Sequence, residues 1–426
     1  MSLSAGLLTL QAFLEARRRM VSTRTRDRLE TAQSRRLKAF LAHDAIRVPA
    51  FSGFGGRPFA DWPVMDKAAL MADFAAYNRL GLTAEEGWRH ERAGTAPRGY
   101  AIGASTGTSG NRGLYVVSEA ERCRWLGVML AWALPNVLLR RHRVAIVLPA
   151  NSRLYDTANE SGRLALKFFD LSTGIEQQFG PLAAFRPTVI VGPPKFLRAL
   201  AESDTNVQPD QVFSGAEVLD AADRKLVETR FGLTVREIYM ATEGLFGVSC
   251  PKGTLHLIED HVAFEFQPVE GGSGLVTPLI TDFSRKTQVM VRYRMNDILE
   301  LSDTPCACGL PHQPVRQVHG RQDDVFHLRR ASGDVVRITP DVIRNAVVRT
   351  DPAITDFRVI QTGADTVALL LPRAAAGALG AAQASLEALF ENCGAHPTVS
   401  ARTETLVPEG ARKLRRVMVQ SGLASS

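Results

Sequence analysis

The sequence predicts an α/β protein in two parts. Residues 1–322 form a large N-terminal domain with α/β sheets and a β subdomain, and residues 323–426 form a small α+β domain. Three observations predict this. A chain of 426 residues exceeds ordinary single-domain size and can bury a large core. From Tyr100 onward, short apolar runs alternate with longer amphipathic ones, the pattern of strands and crossover helices in a largely parallel sheet. From Thr254 the apolar period shortens to two and turn residues crowd closer, as in antiparallel strands.

The opening MSLSAGLLTLQAFLEARRRM has an apolar stretch with no preceding positive region and no small-residue cleavage site, so it reads as a helix rather than a secretory leader. Nine Arg and Lys between Arg17 and Lys38, against Asp27 and Glu30, supply much of the net charge of +7. Such a run can be a patch for nucleic acid, membrane or an acidic carrier domain. Without interleaved aromatic residues a solvated helix face is the better reading, and no nucleic-acid partner is expected. Asp61 to Phe74 (DWPVMDKAALMADF) reads as a turn and a helix. The longest uncharged run, Trp125 to Leu139, falls short of the ~20 residues of a membrane span, contains Pro135 and ends at Arg140 and Arg141. It is expected to be a buried helix, with no membrane span.

Strands are expected at Arg143 to Pro149, Pro187 to Gly192, Gln211 to Ser214 and Leu233 to Tyr239. Ligands of such sheets bind at the strands' C-terminal ends. Thr254 to Leu301 has turns at Glu270 to Gly274 and Asp282 to Arg285. After Gly320 the order reads strand, helix, two strands, helix, strand, with helices at Asp341 to Arg349 and Gly377 to Glu391, strands at Phe357 to Gln361 and Thr366 to Leu371, and a boundary near Asp323. Five cysteines are too few for a disulfide scaffold, and a reducing, cytoplasmic setting is expected.

The sharpest local signal is Ala104 to Gly113 (ASTGTSGNRG), ahead of a segment rich in helix formers. Glycines permit close backbone approach and positive φ, and the hydroxyls can surround phosphate oxygens. No Gly-Lys-Ser/Thr ending makes it a Walker loop, and alone it could be a plain Ser/Gly loop. Four further segments follow in order: Ser214 to Glu217 (SGAE), Glu237 to Gly244 (EIYMATEG), Val291 to Asp297 (VRYRMND) and Gly320 to Asp324 (GRQDD).

With these five motifs the chain resembles the adenylate-forming superfamily of acyl-CoA synthetases and adenylation domains. The resemblance is closest to the phenylacetate-CoA ligase branch and its relatives similar to the synthetase that adenylylates a deazaflavin coenzyme. It implies ATP-dependent conversion of a carboxylic acid to acyl-AMP and then to a thioester. Carboxylate attack on the α-phosphate brings two anions together, so the chemistry is positioning and charge neutralisation. Mg²⁺ suits this role through a carboxylate and the phosphates.

Residue by residue, the resemblance assigns Ser105, Thr106, Gly107, Thr108, Ser109 and Gly110 to the phosphate loop, Thr242 to the α-phosphate and Glu243 to Mg²⁺. It places Gly215, Ala216 and Glu217 along the adenine, Tyr239 against its ring, Asp297 on the ribose hydroxyls and Arg321 on ribose or phosphate. Asp323 matches the hinge between two domain orientations. In Pro408 to Val417 (PEGARKLRRV), Lys413 matches the adenylation lysine that bridges carboxylate and α-phosphate; a plain basic tail is the alternative. Two departures stand out. Asn111 occupies the place of the usual loop lysine, with Arg112 next as a possible substitute cation, and Asn296 precedes Asp297 where Gly or Arg is usual.

Cys306 and Cys308 form a close thiol pair, and Cys250 is followed by His256 with five residues between them. Cys₃His is an accepted closed zinc set, so structural Zn²⁺ is expected, with reduced buried cysteines as the alternative. Cys123 and Cys393 have no such company.

The acid pocket is expected beside the helix beginning at Tyr155, the Ser214 to Ala216 turn, and Met240, Leu245 and Phe246. An apolar lining suits an aryl or other hydrophobic acid, and the resemblance puts phenylacetate, benzoate and hydroxybenzoate types first. The thiol acceptor is coenzyme A or the phosphopantetheine arm of an acyl-carrier protein. Two alternatives stay open: adenylylation of, or condensation with, a phenol or amine, and a nucleotide-binding regulator without catalysis. A homodimer is expected only because dimers are common.

Overall fold

A computed structural model of the chain describes residues 3–105, 112–148, 163–270, 274–351, 354, 356–406 and 415–420. One long sheet organises the first three-quarters of it. Its parallel half runs, in spatial order, Leu164–Asp170, His142–Leu148, Val189–Gly192, Gln211–Gly215 and Arg236–Ala241. The sheet then continues antiparallel through Gly244–Ser249, Leu255–Leu257, Pro314–Arg321, Asp297–Leu301, Leu275–Asp282 and Val262–Pro268. The expected antiparallel region is therefore present and joined edge to edge with the parallel one. Leu164–Asp170 (LALKFFD) is a strand that the reading of the sequence did not single out.

Alternation along the central strands explains the layering. Val144 and Ile146 face a core shared with Phe13, Ala131 and Trp132 of the helices Leu3–Ser22 and Glu119–Ala133. Ala145 and Val147 face Leu182, Phe196, Leu200 and Val227 of the helices Phe179–Phe185, Pro194–Glu202 and Ala221–Phe231. A strand covered on both faces is apolar throughout, as RVAIVLP is. The helix Glu119–Ala133 starts in a capping box of Ser118 and Glu121 and ends just before Pro135, in keeping with a buried helix there.

The basic N-terminal run is exposed at Arg18, Arg24, Arg28, Arg35 and Lys38, while three of its arginines also reach the body of the protein. Arg26 grips Glu259 with two bonds of 2.7 and 2.8 Å, Arg36 donates to the Asp260 carbonyl, and Arg19 lies 3.3 Å from His261. Arg26 and Arg36 dock the helix Arg26–His43 onto the antiparallel half of the sheet, and Arg19 does the same for the helix Leu3–Ser22.

From Phe326 onward a separate core forms, containing Phe326, Ile343, Phe357, Leu369, Leu386 and Phe390. Its sheet has the order Thr398–Glu404, Thr366–Pro372, Arg358–Gly363, Val417–Val419, backed by the helices Pro340–Val348 and Leu379–Asn392. A hairpin of Phe326–Arg329 and Val335–Ile338 replaces the single strand expected before the first helix. Among the described residues no helix is long and apolar enough to cross a membrane.

Candidate active site

Thr242 and Glu243 are the two central residues of a tight hairpin, with Ala241 paired to Gly244. That hairpin is where the parallel half of the sheet gives way to the antiparallel half, and such changes of strand direction open crevices at strand ends. A cavity of about 490 Å³ opens there, lined by Ser105, Ser214, Ala216, Glu217, Tyr239, Thr242, Glu243, Asp297 and Arg321 among others.

Buried partners fix the tip of this hairpin. The Arg285 guanidinium donates to the carbonyls of Thr242 and Glu243 at 3.2 and 2.6 Å, and to Gln288 Oε1 at 3.2 Å. Gln288 Oε1 also accepts from the backbone of Val116 at 3.0 Å, which links the tip to the strand leading away from the phosphate loop. Tyr293 donates its hydroxyl to Glu243 Oε1 at 3.0 Å. Burial and the nearby Glu243 carboxylate push the Tyr293 phenol upward, so it stays a neutral donor. Among the described residues no cation forms a salt bridge with Glu243. Tyr293 and Arg285 were not selected from the sequence, although Tyr293 lies inside the VRYRMND motif.

Tyr239 is 9% exposed and donates to Asp297 Oδ2 at 2.8 Å. Burial, then the Asp297 and Glu243 charges, raise its pKa well above the usual phenol value. Asp297 stands opposite Arg321 in the antiparallel ladder, so two expected ribose contacts are neighbours across strands. Asn296, the departure noted in that motif, donates to Asp323 Oδ2 at 2.5 Å and so ties the ribose motif to the hinge position. Gly215 ends its strand opposite Ile238, and Ala216 takes a left-handed φ of 69°, a strained choice for a residue with a Cβ, which turns the backbone along the cavity wall.

The phosphate-loop candidate differs in context from the expectation. It joins two antiparallel strands, Tyr100–Ala104 and Leu114–Ser118, and the helix begins only at Glu119. Ser105 and Gly113 close its neck with bonds of 2.8 Å from Ser105 N to Gly113 O and from Gly113 N to Ser105 Oγ. Thr106, Gly107, Thr108, Ser109, Gly110 and Asn111 lie outside the described residues, as do the adenylation lysine candidate Lys413 and the helix expected at Tyr155. Arg112 is committed elsewhere: it donates to the Ser105 carbonyl at 3.0 Å and to Glu91 at 2.8 Å, and stacks 5.1 Å from the Trp88 ring. Those partners do not suit it as a replacement for the missing loop lysine.

Ser214, Ala216 and Met240 line the cavity as expected of an acid pocket, but Leu245 and Phe246 do not. Leu245 packs into the core beneath the first helix and Phe246 into the core on the opposite face, 5.5 Å from the Tyr239 ring, because alternation along the strand sends both away from the crevice.

The ligand atoms of Cys250, His256, Cys306 and Cys308 all lie within 4.8 Å of one another. Cys250 Sγ is 3.8 Å from Cys306 Sγ, and Cys308 Sγ is 3.3 Å from His256 Nε2. A tetrahedral zinc with ordinary bond lengths separates two sulfurs by about 3.8 Å and a sulfur from a nitrogen by about 3.5 Å, so the four residues fit it. His256 Nδ1 donates to the His312 carbonyl at 3.0 Å, which leaves Nε2 to face the thiolates.

The long sheet turning antiparallel at Thr242–Glu243, and a small domain beside it, are the fold of the adenylate-forming ligases. It aligns with 2-hydroxyisobutyryl-CoA ligase in a postadenylation state at a TM-score of 0.65, with 17% identity over 92% of this chain and 89% of that one. It also aligns with an amide bond synthetase from Marinactinospora thermotolerans at a TM-score of 0.54, with 12% identity over 74% of this chain and 67% of that one. In sequence the chain is similar to a phenylacetate-coenzyme A ligase of Thermus thermophilus, 24% identical over 370 residues that span 80% of each protein. No family model matches the chain. The superfamily and the branch read from the five motifs are those the comparisons return.

Proposed function

We propose that this chain is an AMP-forming acid-thiol ligase that joins a carboxylic acid to ATP, releases pyrophosphate, and passes the acyl group from acyl-AMP to the thiol of coenzyme A. The observation that carries the reading is Thr242–Glu243 at the switch between the two halves of the sheet, in one cavity with Tyr239, Asp297 and Arg321. In the first step a carboxylate oxygen of the acid bonds to the α-phosphorus and the bond to the bridging oxygen of pyrophosphate breaks. In the second a thiolate sulfur bonds to the acyl carbon and AMP leaves with the electron pair.

Each residue contributes position or charge. Asp297 accepts from the ribose hydroxyls while Tyr239 orients it, and the Gly215–Glu217 backbone follows the adenine. Glu243, steadied by Tyr293, would hold Mg²⁺, which when bound would supply positive charge against the phosphates. Thr242 donates to the α-phosphate, and Lys413 supplies the cation between carboxylate and α-phosphate. Residues 323–426 act as the domain that brings Lys413 in and later withdraws it, with Asp323 as hinge. Cys250, His256, Cys306 and Cys308 would hold Zn²⁺, which would fasten the turn at Cys250 and the strand Leu255–Leu257 to the loop of Cys306 and Cys308.

For the acid, an arylacetate or benzoate type is favoured by similarity to the phenylacetate-coenzyme A ligase. The test is product analysis with ATP, Mg²⁺ and aryl acids, with and without coenzyme A. Acyl-CoA and AMP in the complete mixture, and neither with Lys413→Ala, support the proposal. Acyl-AMP that ignores coenzyme A moves the acceptor to a carrier protein, a phenol or an amine.

A further inference from the structure

Glu121 is a buried carboxylate with no part in the chemistry proposed so far. It is 7% exposed and stands in the first turn of the helix Glu119–Ala133. Its Oε2 accepts from Ser118 N at 2.7 Å and from Ser118 Oγ at 2.8 Å, which completes the cap of that helix. Its Oε1 serves a different part of the chain: it accepts from the backbone N–H groups of Lys286 and Thr287 at 2.5 and 2.7 Å, 165 and 166 residues along. Burial pushes the Glu121 pKa up, but the bonds from Thr287, Ser118 and Lys286 outweigh it and hold the carboxyl below its ordinary value. All four donors therefore meet a charged acceptor.

Lys286 and Thr287 directly follow Arg285, whose guanidinium holds the carbonyls of Thr242 and Glu243. On the near side, Asp282 Oδ1 takes Ser284 N at 2.8 Å, and a Cβ on Gly244 would come within 3.1 Å of Asp282 Oδ2. Residues 282–288 thus lie against the hairpin of Thr242 and Glu243. On the outer side, Asp44 takes Lys286 Nζ at 2.8 Å and Arg79 N donates to the Thr287 carbonyl at 2.9 Å. Without the Glu121 carboxylate the Lys286 and Thr287 N–H groups lose this acceptor, and Thr287 is only 7% exposed. A buried donor left unpaired is costly, so the segment shifts toward its remaining anchors and carries Arg285 with it.

We infer that Glu121 is a positioning residue for Thr242 and Glu243: one carboxylate sets the spacing between the strand Leu114–Ser118 and residues 282–288, and through Arg285 it fixes the hairpin tip that presents Glu243 to the cavity. The task given to Glu243 rests on the ligase reading above. The path from Glu121 to the tip rests on the contacts alone.

The experiment compares wild type with Glu121→Gln, which keeps the shape but leaves one acceptor oxygen for two pairs of donors. Amide hydrogen exchange of the protein alone should quicken at residues 241–246, with Gln211–Gly215 unchanged. In acid-dependent exchange between pyrophosphate and ATP, the Mg²⁺ concentration for half-maximal rate should rise about 10-fold, the effect of losing a group that orients a metal ligand, while the KM for the acid stays at the wild-type value. A variant that is merely less stable would lose rate without changing its Mg²⁺ requirement. Arg285→Lys keeps the charge but loses the planar fork, and should reproduce both changes if Glu121→Gln fails to fold. Wild-type amide exchange at residues 241–246 in the folded variant, or an unmoved Mg²⁺ requirement, overturns the inference alone. A wild type that exchanges pyrophosphate with no acid overturns the ligase reading, and the amide result still decides the positioning.

Discussion

With Zn²⁺ in the proposed set, replacing Cys250 by serine would break a cross-link between parts of the chain 56 residues apart, since Cys250 and Cys306 come together only in the fold. Treated as a fixed cross-link, a loop of that length removes about 4 kcal/mol of chain entropy from the unfolded state. Three ligands remain in Cys250→Ser, so the loss approaches that figure only if the ion leaves. Cys250 is 2% exposed at the end of a sheet strand, and Trp132 packs edge-on to His312 at 4.8 Å, so tryptophan fluorescence reports the same region. The assay is zinc per chain by mass spectrometry together with the urea midpoint followed by fluorescence. Wild type should carry one zinc, and Cys250→Ser should lose it with a clearly lower midpoint. Cys393→Ser, outside the cluster, should alter neither. Zinc-free wild type whose midpoint equals that of Cys250→Ser would refute the reasoning.

Glu243→Gln keeps the side chain's shape but removes its charge, and should lower acid activation by 10²-fold or more in single-turnover assays, by analogy with the loss of one preorganised electrostatic contact. Tyr239→Phe removes one hydrogen bond to Asp297, worth about 1 kcal/mol, and should raise the KM for ATP roughly five-fold with little change in kcat; an unchanged KM would remove Asp297 from the nucleotide site. His319 lies 2.7 Å from Asp341 and 3.0 Å from Glu300. Burial opposes its charge, but these two carboxylates outweigh it and hold its pKa above the usual histidine value. A folded-state pKa that is raised gives stability fully present below the unfolded value of about 6.5 and lost as pH rises through the folded value. Between about pH 6 and 8 wild type should therefore lose more stability than His319→Gln, and parallel urea midpoints across that range would contradict the assignment.

Much of this architecture was legible because local patterns carried it. Runs such as RVAIVLP and PTVIVG read as buried strands, and residues of the four later motifs, with Ser105 of the first, line one cavity. Their side chains do converge: Tyr239 on Asp297, Tyr293 on Glu243, Asn296 on Asp323. What escaped depends on partners far apart in sequence. Nothing near Arg26 or Arg36 announces Glu259 and Asp260, so the contacts that dock this otherwise exposed face depend on partners the local sequence does not show. Asp220 gave no local sign that two arginines more than a hundred residues downstream would share it. The Ser/Gly loop was placed before a helix because helix formers follow it, but the short strand Leu114–Ser118, closing a hairpin with Tyr100–Ala104, intervenes. Arg112 looked like a spare cation until Glu91 and Trp88 stood beside it.

The most direct measurement is exchange of labelled pyrophosphate into ATP by the purified chain with Mg²⁺, over a panel of arylacetic, benzoic, hydroxybenzoic, cinnamic and fatty acids. The account predicts exchange that depends on the acid, is strongest for one aryl class, and disappears in Lys413→Ala. Folded protein that binds ATP and exchanges pyrophosphate with none of these acids would contradict carboxylate activation as its chemistry.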